Sequence, residues 1–184
     1  MSLYLHIPFC DRLCWFCACH TKQVLRYGPI SAYLQALHAE IATVGRLVSG
    51  RKVKAVHLGG GSPTMLCADD IDCLADALRQ SFAFSDDCEI SLEVDPNDVS
   101  ADKLEAWARF GVTRASFGVQ DFDQTVQREI NRLQSFADTA DAVAGFRARG
   151  VGSVNLDVLY GLPHQTRETL AATLEQVISL RPDR

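Results

Sequence analysis

No run of apolar residues in this chain approaches the roughly 20 that a membrane-spanning helix needs. Nothing at its start reads as a cleavable leader either, since Met1 to Phe9 has no basic segment and reaches Pro8 before any long apolar stretch. Charge of one sign is also scarce. Eighteen Lys and Arg stand against 23 Asp and Glu, mixed along the chain for a net charge of -5, so there is no basic field to hold nucleic acid. Low-complexity linkers are missing, and no Gly-Lys-Ser/Thr follows the glycine triplet at 59–61, which excludes a nucleotide P-loop. These absences point to a single domain over 1–184 in a reducing cytoplasm, with small molecules and proteins as partners. With 184 residues and 47% hydrophobic content, the chain can build a core without disulfides, so its seven cysteines are free for chemistry.

What is present is a repeated alternation of short apolar runs with helix-period segments, the pattern of βα units. Strands are expected at Leu3–Ile7, Val53–Leu58, Glu89–Asp95, Arg114–Val119 and Ser153–Leu159. Between them, Leu34, Leu37, Ile41, Val44 and Val48 form one apolar stripe over 31–48, and Ile71, Leu74, Leu78 and Phe82 form another. A third helix is expected from Ser100 to Gly111, a fourth region ends near Gly150, and a last helix runs from about Arg167 to Leu180. Polar residues inside the strands (Glu93, Asn155, Asp157) need a polar interior, as at the mouth of an open barrel. A full (β/α)₈ barrel takes about 250 residues. The expected fold is therefore α/β, a TIM-like barrel of about five βα units that is partial or cut short.

The first strand runs into His6-Ile7-Pro8-Phe9-Cys10-Asp11-Arg12-Leu13-Cys14-Trp15-Phe16-Cys17-Ala18-Cys19-His20-Thr21, four cysteines in ten positions. A C-x₃-C-x₂-C triad this tight leaves an iron–sulfur cluster with one iron free of protein, and so open to a ligand. The bland reading is a zinc site completed by Cys19 or His20. Gly60-Gly61-Ser62 after a strand lets backbone amides approach a ligand's polar groups, or is simply a tight turn. Glu93 and Asp157 near strand ends suit hydroxyl or ammonium groups, or else pair with Arg114 or Arg132. The histidines His6, His38, His57 and His164 read as satisfied structural groups. Cys67, Cys73 and Cys88 read as small packing residues.

Cys10-x₃-Cys14-x₂-Cys17 after this strand, with the glycine triplet, resembles the radical S-adenosylmethionine superfamily. Within it, Tyr4 to Cys10, Gly59 to Thr64, Gly118 to Phe122 and Tyr160 to Pro163 together are similar to the oxygen-independent coproporphyrinogen III oxidase family. Cys19, two residues after the triad, matches the oxidases, whereas the related haem chaperones have an acidic and an aromatic residue there. Ala18, commonly glycine, and Ser62, more often threonine, depart from the pattern.

The resemblance implies a [4Fe–4S] cluster on Cys10, Cys14 and Cys17 and S-adenosylmethionine on the fourth iron. The cosubstrate would lie among Tyr4, Gly60, Gly61, Ser62, Glu93, Gln120, Arg132 and Asp157. A second S-adenosylmethionine would lie near Phe16, Gly61 and Leu159. Cys19 is left to substrate-side chemistry or packing. It further implies oxidative decarboxylation of a porphyrinogen substrate in haem biosynthesis, with a one-electron donor protein as partner. A non-catalytic haem- or metal-binding module on the same core is the competing expectation.

Overall fold

The computed structural model describes residues 1–184. The chain begins with β1 (Ser2–Ile7), β2 (Phe9–Cys10) and β3 (Lys22–Gln23), followed by α1 (Gly28–Leu47) and β4 (Lys52–Gly60). Next come α2 (Ala68–Ser81), β5 (Ala83–Val94), α3 (Ala101–Phe110) and β6 (Arg114–Gln120). The remainder is α4 (Gln124–Glu129), α5 (Phe136–Ala148), β7 (Ser153–Val158) and α6 (Arg167–Ser179).

Five strands form one parallel sheet in the order β1-β4-β5-β6-β7. Each new strand is added on the same side of the last, with no reversal. A doubly wound sheet must reverse to cover both faces, whereas same-handed crossovers without reversal put every helix on one face. The other face is left as the concave interior of an unclosed barrel, as the polar strand residues led us to expect.

Alternation along the strands sorts the side chains accordingly. Leu5, Ile7, Val56, Leu58, Leu92, Val94, Ala115, Phe117, Val154 and Leu156 are buried in a single cluster with helix residues such as Ile30, Leu74, Trp107 and Phe146. Tyr4, His57, Glu93, Ser116, Asn155 and Asp157 occupy the intervening positions on the open face. Because the strands are parallel, their C-terminal ends share one rim, where barrel ligands bind.

Local boundaries shift by one to three residues in several elements and differ more in two places. The third strand of the sheet begins at Ala83, not Glu89, since Ala83 and Phe84 pair with Lys52 and Val53 before a bulge resets the register. Ser85-Asp86-Asp87 hides this extension from any apolar pattern. The fourth helical region is two helices, divided where Ile130 to Gln134 carry the chain back toward the cysteine segment. No helix is long and apolar enough to cross a membrane.

Candidate functional site

The cysteine segment is a loop closed at its base by β2 and β3, where Lys22 N–H donates to Pro8 O at 2.9 Å and Val24 N–H to Cys10 O at 3.0 Å. Its far side is tied to the chain after α4. Trp15 N–H donates to Ile130 O (3.1 Å), Asn131 Nδ2 to Leu13 O (2.9 Å) and Arg12 Nη1 to Leu133 O (3.2 Å). Cys17 N–H closes a turn on Cys14 O at 3.1 Å. Half-burial pushes the thiols of Cys10 and Cys14 up, and for Cys14 the nearby Arg132 guanidinium pulls in the opposite direction. Arg132 Nη1 stands 3.7 Å from Cys14 Sγ.

All seven cysteines are reduced. No three His, Cys, Asp or Glu side chains converge closely enough to hold one metal ion. A tetrahedral zinc needs its ligands around one point, whereas the thiolates of a cubane cluster bind separate irons and stand further apart. A cubane cluster therefore does not require its three thiolates to converge on one point. Cys19 is exposed, and its N–H donates to Cys17 Sγ at 3.4 Å. Its thiol is pushed up to about 11, chiefly by its hydrogen bond with Cys17 and then by partial burial.

Beside the loop lies a cleft of about 250 Å³ on the sheet rim, lined by Cys14, Phe16, Cys17, Cys19, residues 60–62, Glu93, Asp95, Ser116, Gln120, Arg132 and Asp157 among others. Most of the expected site residues thus face one space. Three do not line it. Cys10 is half-buried with its Sγ 3.1 Å from Thr21 Oγ1. Tyr4 sits further back on the open face, its ring stacked on His57 with centroids 5.6 Å apart. Leu159 follows β7, its N–H on Gln120 O. A groove of about 500 Å³ between α4 and the start of α5 contains no thiol.

The glycine triplet works differently from its sequence reading. Gly60 N–H donates to Glu93 Oε2 (3.1 Å), Gly61 N–H to Ile7 O (2.8 Å) and Ser62 N–H to Phe9 O (2.7 Å), so all three amides are already used within the chain. Ser62 is buried, and its hydroxyl donates to Asp98 Oδ2 at 2.9 Å. What the glycines provide is clearance. A Cβ at Gly59 would stand 2.8 Å from the Glu93 carboxylate and one at Gly60 2.7 Å from the His6 ring, while one at Gly61 would strike Phe9 O and Thr21 Oγ1. The triplet lets the cysteine loop and Glu93 close onto the end of β4.

The carboxylates also have other partners than expected. Neither Glu93 nor Asp157 pairs with an arginine. Glu93 Oε1 lies 3.1 Å from His57 Nε2, and Asp157 accepts from Ser116 Oγ (2.9 Å) and Asn155 Nδ2 (2.7 Å). Arg132 instead pairs with Asp95 at 3.0 Å, both largely buried, and donates to Gly118 O. Gln120 has φ 66, a left-handed backbone that non-glycine residues seldom adopt, at the bulge where β6 opens from β7. His57, Asp95 and Ser116 were missed in the sequence. Residue alternation puts His57 on Glu93's face, but only strand register shows that they meet. His38 is the exception among the histidines, with its Nε2 buried and unpartnered.

Compared with known proteins, residues 4–177 match the family model described as the Radical SAM superfamily. The chain is 46% identical over its whole length to an anaerobic coproporphyrinogen III oxidase of Cereibacter sphaeroides and 44% identical to the oxygen-independent enzyme of Escherichia coli, spanning 41% and 40% of their lengths. It superposes on the solved coproporphyrinogen III oxidase of Escherichia coli with a TM-score of 0.95, covering 99% of this chain and 42% of that one. At 15% identity, methylornithine synthase shares the fold, with a TM-score of 0.64. With the cysteine triad, the rim cleft and a family match over nearly its whole length, this chain belongs to the Radical SAM superfamily.

Proposed function

We propose that the chain is the catalytic core of an anaerobic coproporphyrinogen III oxidase, which converts two propionates of its substrate to vinyl groups in porphyrin biosynthesis. The observation that carries this reading is identity of 43–46% to enzymes so named along the whole chain, coinciding with Cys19 beside the triad. Cys10, Cys14 and Cys17 would hold a [4Fe–4S] cluster, and a reducing cytoplasm keeps such thiols available. Bound there, a [4Fe–4S] cluster would supply the one-electron reduction of S-adenosylmethionine to methionine and an adenosyl radical, the reagent for removing one hydrogen atom from a propionate β-carbon, with CO₂ and one further electron, taken by an acceptor, lost as each vinyl group forms.

The chain's own residues bind and orient. Arg132, fixed by Asp95, lines the cleft beside Cys14 as a largely buried cation for a carboxylate. Glu93, held by His57 and Gly60 N–H, presents its carboxylate at the rim, and Asp157 with Ser116 and Asn155 forms a polar ledge suited to ribose hydroxyls. Phe16 offers an apolar wall. Porphyrinogen and a one-electron donor protein are the partners this chemistry requires.

The test is anaerobic turnover of the intact protein with a reductant, following 5′-deoxyadenosine, CO₂ and protoporphyrinogen. Release of all three supports the reading. Haem binding without any of them would assign the protein to the haem-handling alternative.

A further inference from the structure

We propose that Thr21 is a positioning residue for the cluster, donating its hydroxyl hydrogen bond to the Cys10 thiolate and thereby raising the reduction potential. The proposal rests on the reading of Cys10 as a cluster ligand. Thr21 Oγ1 lies 3.1 Å from Cys10 Sγ, and it has no other hydrogen-bond partner. Once Cys10 binds iron it carries no proton, so the hydroxyl must be the donor.

Three features hold the contact. The β2–β3 ladder pairs Cys10 with Gln23 and Phe9 with Lys22, bringing Thr21 back beside the start of its own loop. Lys22 N–H on Pro8 O fixes the residue that follows it. Gly61 leaves the space the hydroxyl occupies, since a Cβ there would approach Thr21 Oγ1 at 2.6 Å.

A hydrogen bond to a ligating sulfur stabilises the more negative, reduced cluster, and such bonds are among the groups that set cluster potentials. Two ligands then have side-chain donors from outside the cysteine motif: Thr21 on Cys10 and the charged Arg132 on Cys14, while Cys17 is approached by Cys19, whose amide donates to it. Of the two side-chain donors, Thr21 alone is uncharged, so its removal changes the sulfur's hydrogen bonding without altering the site's net charge.

The experiment is a redox titration of the reconstituted intact protein, monitored by electron paramagnetic resonance, comparing wild type, Thr21→Val and Thr21→Ser. Thr21→Val keeps the shape and loses the donor. It should shift the midpoint to more negative potential by about a tenfold change in the oxidised-to-reduced ratio, which is 59 mV for a one-electron couple. Thr21→Ser should restore the wild-type value. An unchanged midpoint in Thr21→Val with full cluster content overturns the proposal. Should Thr21→Val retain too little cluster, Thr21→Ala replaces it, and equal midpoints for alanine and wild type overturn the proposal equally. Failure of the wild-type protein to assemble any cluster would instead sink the underlying reading of Cys10.

Discussion

Arg132 and Asp95 form the one ion pair in the chain whose two side chains are both at most 13% exposed. A buried charge left without its partner typically costs about 3 to 5 kcal/mol, so Asp95→Ala should lower unfolding free energy by roughly that amount. Replacing both, as Asp95→Leu with Arg132→Met, should cost less in urea denaturation. A double-variant loss as large as the Asp95→Ala loss or larger would overturn the expectation. Glu93 and Asp157 answer to a different measurement. Glu93→Gln and Asp157→Ala should each weaken S-adenosylmethionine binding by roughly 10- to 150-fold in calorimetry while leaving the cluster assembled, the range for removing a charged hydrogen-bond partner. Asp98 gives a pH signature. Burial and then Asp95 push its carboxyl up, while the Ser62 hydroxyl pulls it down. A raised carboxyl holds its proton more tightly folded than unfolded, so its stability contribution is present at low pH and lost as pH rises through the folded value. The stability difference between wild type and Asp98→Asn should therefore shift against wild type as pH rises above about 4, the unfolded carboxyl's range.

The β4 end and the cysteine loop behave as one unit, because Gly61 and Ser62 amides hold Ile7 and Phe9 while the glycine faces accept the loop. Gly61→Ala should leave the sheet intact by circular dichroism but abolish stable cluster retention, since the new methyl group meets the Phe9 carbonyl and Thr21. Element order, the one-sided helix layer and the polar strand face were legible in the sequence because alternation and helical period report burial directly. The two-residue strands β2 and β3 were not, being too short to show any period, and yet they close the cysteine loop. Nor were the partners of Glu93 and Asp157. The sequence offered Arg114 and Arg132 as partners, but Arg132 lies after α4 and returns to Asp95 at the end of β5, a contact between residues 37 positions apart. Side-chain identity could name the carboxylates, while their neighbours depended on register between strands.

An unclosed parallel sheet presents edges, and the edge at β7 is partly occupied by the chain itself. Asp183 N–H donates to Val154 O and Leu156 N–H to Arg184 O, with the Asp183 carboxylate accepting from Val154 N–H. Arg147 on α5 directs this return by donating to Leu180 O at 2.6 Å and to Arg181 O at 2.5 Å. Free strand edges pair with other chains. Arg147→Ala, made in the 184-residue polypeptide, should therefore loosen residues 183 and 184 and increase self-association in sedimentation velocity. An unchanged monomer fraction would show that the edge is protected by something other than this turn. The same geometry bears on activity. The cleft lies at the rim of only five strands, and the chain spans about two fifths of the length of the curated relatives it matches. The residues proposed to bind S-adenosylmethionine are mostly gathered at that rim, whereas a tetrapyrrole is far larger than a cleft of about 250 Å³. The 184-residue polypeptide alone should bind or slowly cleave S-adenosylmethionine and release no protoporphyrinogen, while the protein extended to the relatives' length should do both. Protoporphyrinogen release by the short polypeptide would overturn this and put the whole substrate pocket within these five units.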